Sequence, residues 1–106
     1  MEIRLYVSEA GETVFETWRS SLKDRVAQRI VTRRLYRLEL GNIGDAKPVG
    51  GGVWELRIDF GPGLRIYYAL VGKTIVLLLG GGDKSTQQGD IEKAIAALAD
   101  WKRRGA

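Results

Sequence analysis

Two alternating segments joined through Gly61-Pro-Gly63 constrain this chain most: Gly52-Val-Trp-Glu-Leu-Arg57-Ile and Leu64-Arg-Ile-Tyr-Tyr68. Successive side chains of a strand point to opposite faces. Alternation therefore sends Trp54, Leu56, Ile58 and Phe60 to one face, and Glu55, Arg57 and Asp59 to the other. In the return segment Leu64, Ile66 and Tyr68 share one parity, and Arg65 and Tyr67 the opposite one. A turn centred on Pro62 pairs residue 57 with 67 and residue 59 with 65. Arg57, Arg65, Tyr67 and two carboxylates are then expected on one open sheet face. Such a face suits a phosphodiester, because arginine can hold a phosphate through two parallel hydrogen bonds.

The rest of the chain supplies the partners for that hairpin. Ile3, Leu5 and Val7 alternate in a first strand. From Thr13 the period becomes helical, with Val14, Phe15, Trp18 and Leu22 on one side and a Thr13/Glu16 capping-box pattern. A second helix is expected from Lys23 to Glu39, with Ala27, Ile30, Val31, Leu35 and Leu38 as its apolar stripe and Gly41 as its C-cap. Lys47 to Val49 reads as a short strand, and the apolar run Thr74 to Leu79 as a strand covered on both faces. Gly80-Gly-Gly-Asp83 is expected to leave that strand as a loop. Ile91, Ala94, Ile95, Leu98 and Trp101 mark a last helix opening at Gln88 to Asp90. The order is β-α-α-β-β-β-β-α. This is an α+β fold with an N-terminal helix hairpin packed on a mainly antiparallel sheet, one domain over residues 1–106.

Composition narrows the chemistry. With no cysteine and no histidine, thiol chemistry and imidazole acid/base catalysis are both excluded. A net charge of +4 leans toward an anionic partner. No apolar run approaches the roughly 18 residues that would cross a bilayer. The first residues lack the basic start and apolar run of a secretion signal, so a cytoplasmic location is expected, with no membrane partner.

Three constellations carry charge. Arg25, Arg29, Arg33 and Arg37 recur four apart, hence on one helix face. Like charges at that spacing repel by roughly 0.2–0.5 kcal/mol per pair, so a solvated face would more naturally mix in acids. RNA, DNA or an acidic protein would each fit the stripe. On the hairpin, Arg57 and Arg65 can either stabilise a phosphate or pair across strands, Arg65 with Asp59 and Arg57 with Glu55. Gly80-Gly-Gly-Asp-Lys84 could present backbone N–H groups to an anion, but it lacks phosphate-loop spacing. Trp18, Trp54 and Trp101 all fall on apolar faces and read as core.

At these residues the chain resembles a known family. The ordered series Trp18…Leu22-Lys-Asp24, Arg29-Ile…Arg33-Arg-Leu…Arg37-Leu, Gly41-Asn-Ile-Gly-Asp45, Gly52-Val-Trp-Glu-Leu-Arg57, Gly61-Pro-Gly-Leu-Arg65-Ile-Tyr-Tyr68 and Gly81-Gly-Asp-Lys84-Ser-Thr-Gln87 is similar to the addiction-module killer proteins. These form the HigB-like, phage-derived Gp49-like branch of the RelE/ParE toxin superfamily. The resemblance implies a toxin neutralised by a cognate helix-turn-helix antitoxin, with operator DNA contacted only through that antitoxin. It also implies cleavage of mRNA in the ribosomal A site. From the residues themselves no metal or cofactor is expected, because Asp83 and Asp90 have no second cluster at ligand spacing. Arg65 matches the arginine of the family's Gly-x-Arg-x-x-Tyr strand, Arg57 the basic residue of the strand before it, and Lys84 the basic residue after the last strand. A C-terminal tyrosine of RelE-type nucleases is replaced near Asp90.

The chemistry implied is attack of a 2′-hydroxyl on the adjacent phosphate. Arg57 and Arg65 would neutralise the transition state, and Lys84, Tyr67 or Glu55 would transfer protons. None of these residue types titrates near pH 7 in water, which predicts a poor nuclease off the ribosome. Lys47, Arg25, Arg29, Arg33 and Arg37 are the expected contacts to RNA and ribosome. The competing expectations are a ParE-like gyrase inhibitor, which would lack the nuclease residues, and a non-toxic nucleic-acid-binding relic.

Overall fold

The computed structural model describes residues 1–105. The elements are β1 (Glu2–Leu5), α1 (Val14–Ser21), α2 (Arg25–Glu39), β2 (Ala46–Gly50), β3 (Val53–Ile58), β4 (Leu64–Val71), β5 (Ile75–Gly82) and α3 (Gln87–Arg103). A single 3₁₀ turn, Lys84–Thr86, precedes α3. The α+β order is the expected one. The strands form one sheet in the order β1-β5-β4-β3-β2, antiparallel throughout except for the parallel β1–β5 pair. No helix among the described residues is long and apolar enough to cross a membrane.

The sheet is the middle of three layers. On one face Leu56, Ile58, Ile66, Tyr68, Val76 and Leu78 pack against Phe15, Ala27, Val31 and Leu38 of the two N-terminal helices. On the other face Val53, Tyr67, Ala69, Leu77 and Leu79 pack against Ala94, Ala97 and Leu98 of α3. This corrects the expected open face: Tyr67 is fully buried, because α3 lies across the parity that carries it. At one end of that face the side chains of Arg57 and Arg65 stay partly accessible.

Local ends differ from expectation for simple reasons. The Thr13 side chain makes no capping hydrogen bond, so the Thr13/Glu16 pattern is not used. Helix α2 starts at Arg25, where Asp24 accepts the Val26 N–H at 2.8 Å. Gly41 ends that helix as expected, donating its N–H to the Leu38 carbonyl at 3.0 Å.

Two corrections shape the site. Residue 57 pairs with 65, 55 with 67 and 58 with 64. The turn is therefore a five-residue loop, Asp59–Gly63, closed by the Gly63 N–H donating to the Phe60 carbonyl at 3.0 Å. Gly61 (φ +55°) and Gly63 (φ +84°) take the left-handed conformations that centre it on Gly61 rather than Pro62. A shift of two residues keeps every side chain on its face, but it removes Asp59 from Arg65. The second correction concerns Gly80–Gly82, which continue β5 as paired strand opposite Tyr67, Ile66 and Arg65. Their missing side chains serve packing. A Cβ on Gly81 would lie 2.2 Å from the Trp18 ring, and one on Gly82 would lie 1.9 Å from Asp90 Oδ2.

Candidate functional site

Two rungs of the sheet define the site. In one, Lys47, Glu55, Tyr67 and Gly80 lie side by side across β2, β3, β4 and β5; in the next, Arg57, Arg65 and Gly82 do. All these side chains share the α3 face. Because two of the β5 positions are glycine, the first turn of α3 settles close onto the sheet. That approach carries Gln87 to Glu55.

Glu55 is the hub. Its side chain is fully buried, a position too costly for a carboxylate without partners. It accepts hydrogen bonds from Gln87 Nε2 at 2.9 Å, Tyr67 Oη at 3.2 Å and Arg57 Nε at 3.3 Å. Arg65 Nε stands 3.6 Å from Oε2. Burial pushes the Glu55 carboxyl up, but the hydrogen bonds from Gln87, Arg57 and Tyr67 and the charge of Arg65 outweigh it, leaving the group below its ordinary value. Burial first, then the neighbouring Glu55 charge, raise the Tyr67 phenol far above its ordinary value. The site therefore holds an ionised carboxylate and a neutral phenol.

The arginines differ in access. Arg65 is 11% exposed and is pinned by donation from Nη1 to the Gly63 carbonyl at 2.8 Å. Its buried Nε has no hydrogen-bond partner among the described residues. Arg57 is 41% exposed and faces solvent. Lys84 is exposed beside the β3–β4 loop, its Cβ 3.8 Å from where a Gly63 Cβ would sit. Lys47 is exposed on the edge strand next to Glu55. At the α3 end, Asp83 accepts the Ser85 N–H at 2.8 Å, and Asp90 accepts from the Thr86 hydroxyl.

The structure thus brings Glu55, Arg57, Arg65, Tyr67 and Lys84 to one end of the sheet, with Lys47 alongside. It does not bring Arg25, Arg29, Arg33 and Arg37 there. That stripe lies on α2, which packs on the opposite sheet face. Asp59 makes no ion pair among the described residues, so the expected Arg65–Asp59 pair is replaced by Arg65–Glu55. Gln87 is the participant that sequence reading missed. Its distance of 32 residues from Glu55 leaves no spacing signal.

A three-layer α+β scaffold with a paired-arginine cluster at one end of its sheet defines the class. Residues 18–102 match the family described as Phage derived protein Gp49-like. An uncharacterized protein of Haemophilus influenzae is 48% identical over 80 residues, covering 76% of this chain and 81% of that protein. The chain belongs to the Gp49-like family, which is associated with toxin–antitoxin pairs.

Proposed function

We propose that this protein is the toxin of a type II toxin–antitoxin pair and acts as a ribosome-dependent mRNA endoribonuclease. The observation that carries the reading is the pair of directly opposed arginines, Arg57 and Arg65, organised around buried Glu55. Two guanidiniums facing each other on adjacent strands need an anion between or above them. Glu55 supplies one from below, and a phosphodiester would supply the second from solvent. Cationic donors fixed before the substrate arrives stabilise charge developing on a transferring phosphoryl group without reorganising.

In the reaction proposed, the 2′-oxygen forms a bond to phosphorus and the bond to the 5′-oxygen breaks. The products are a 2′,3′-cyclic phosphate and a 5′-hydroxyl; one proton leaves the 2′-hydroxyl and one reaches the 5′-oxygen. Arg65 and Arg57 neutralise the equatorial oxygens. Glu55 and Tyr67 are occupied with each other and with the arginines, so they act as positioning residues. Lys84, exposed beside Arg65, donates the proton to the departing 5′-oxygen, and the 2′-hydroxyl proton passes to water. An ammonium is a weak partner at neutral pH, so the reaction depends on the ribosome to orient the substrate.

Induction of the wild-type chain in cells should arrest growth and place new mRNA 5′ ends within translated codons. Arg65→Ala should abolish both while leaving the folded protein able to bind its antitoxin. Arrest accompanied by DNA damage, with intact mRNA, would instead indicate a gyrase inhibitor; unimpeded growth would indicate a non-toxic relic.

A further inference from the structure

The α2 stripe is the largest concentration of charge the proposed reaction leaves unused. Arg29, Arg33 and Arg37 share one solvent-facing side of the helix with Val26, Tyr36 and Leu40. These positions follow i, i+3, i+7, i+10, i+11 and i+14, one continuous face about 100° wide. The apolar members are well exposed: Val26 49%, Tyr36 62% and Leu40 69%. Beside this face lies a concavity of about 750 Å³ between α2 and Arg19 of α1. Its wall is fixed across the two helices, because the Arg19 guanidinium donates to the Thr32 hydroxyl.

We infer that this face of α2 is a docking surface for an acidic amphipathic helix of a partner protein. Two observations favour that occupant over RNA. The stripe stands on the opposite sheet face from Arg57 and Arg65, so a phosphodiester held there could not also lie along α2 through the sheet. The face is mixed, with apolar residues at both ends and cations in the middle. A phosphate backbone would neutralise the arginines but leave Val26 and Leu40 in water. A helix carrying acids at four-residue spacing and apolar residues on the flanking turns would match both. Repulsion among arginines four apart is relieved when such acids arrive. The inference is independent of whether the arginine–Glu55 cluster cuts RNA.

The test is fluorescence anisotropy with the full chain and a labelled helical peptide of about 20 residues, long enough to run along α2. The peptide carries Glu every fourth position between Leu-bearing turns. A single-stranded RNA oligonucleotide is the second probe. The peptide should bind the wild-type chain and Arg57→Ala alike. Combined Arg29→Glu and Arg33→Glu substitutions should weaken it by about tenfold or more, since two attractive contacts become repulsive. A peptide with Lys in place of Glu should then bind the double variant better than the wild type, which also shows that the variant is folded. The proposal is overturned if the peptide fails to bind, if the double variant binds it unchanged, or if RNA is the tighter ligand and is the one lost on substitution.

Discussion

Arg57 and Arg65 face each other across β3 and β4, and both reach the same buried carboxylate, Glu55. The anion is what allows the two cations to share a rung. Removing it should leave Arg65 largely buried with no countercharge. Glu55→Ala is expected to cost about 3 kcal/mol, the low end for breaking a buried pair, because solvent screens the more exposed Arg57. Urea denaturation checks this. In the same background, Arg65→Ala should cost less than in the wild type, because the two residues form one network.

Activity should separate the arginines. Arg65 is pinned by the Gly63 carbonyl and nearly enclosed, whereas Arg57 is 41% exposed. Arg65→Lys should therefore remove growth arrest almost as fully as Arg65→Ala, since an ammonium cannot span both the carbonyl and a phosphate. Arg57→Lys should retain partial arrest. Plating efficiency after induction measures both; equal tolerance at the two positions would contradict the proposed division.

The packing of Gly81 yields a stability prediction. A Cβ there would meet three Trp18 ring carbons at 2.2–2.5 Å. Gly81→Ala should destabilise by about 2 kcal/mol through overpacking. Trp18→Leu opens that space, so the added cost of Gly81→Ala in its background should fall by half or more. A thermal-melt double-mutant cycle reads the difference.

That packing also shows where the sequence was legible. Element order and the faces of β3 and β4 follow from parity alone, and Trp54, Leu56 and Ile58 lie on the face alternation assigns them. The register did not follow, because Gly61 and Gly63 set the loop length and composition does not say which glycine centres it. Gly80–Gly82 looked like a loop because the side chains that make glycine necessary, Trp18 and Asp90, come from other elements. Glu55 and Gln87 meet only after α3 folds across the sheet, so no local pattern announces them. Arg57, Arg65 and Lys84 could be named from spacing and resemblance; their dependence on a buried carboxylate could not.

Tyr68 offers a stabilising change. It is fully buried against the N-terminal helices, and its hydroxyl has no hydrogen-bond partner among the described residues. A buried hydroxyl without a partner costs desolvation with no return. Tyr68→Phe should stabilise by about 1 kcal/mol, a rise in Tm of about 5 °C for a domain of this size. Loss of stability would mean that the hydroxyl is satisfied in solution.

Stability should fall at both pH extremes, through different groups. The Glu55 carboxyl lies below its ordinary value despite burial, through its hydrogen bonds and Arg65. Asp100 is lowered by its hydrogen bond from Tyr6 and by Arg104 and Arg103, against burial. For such acids the unfolded chain takes up protons first as pH falls. Their contribution is complete above the ordinary carboxylate range, about 4–4.5, and is lost as pH drops through the lower folded values. Tyr67 and Tyr68 are raised, chiefly by burial. Below about pH 10 both states hold the phenol proton. Above it the unfolded chain loses the proton first, so stability declines as pH climbs toward the folded values. Denaturant midpoints measured across the range should thus form a plateau with two falling limbs. Because Tyr68 contacts no carboxylate, Tyr68→Phe should flatten the alkaline limb and leave the acid limb unmoved, whereas Glu55→Gln should flatten the acid one.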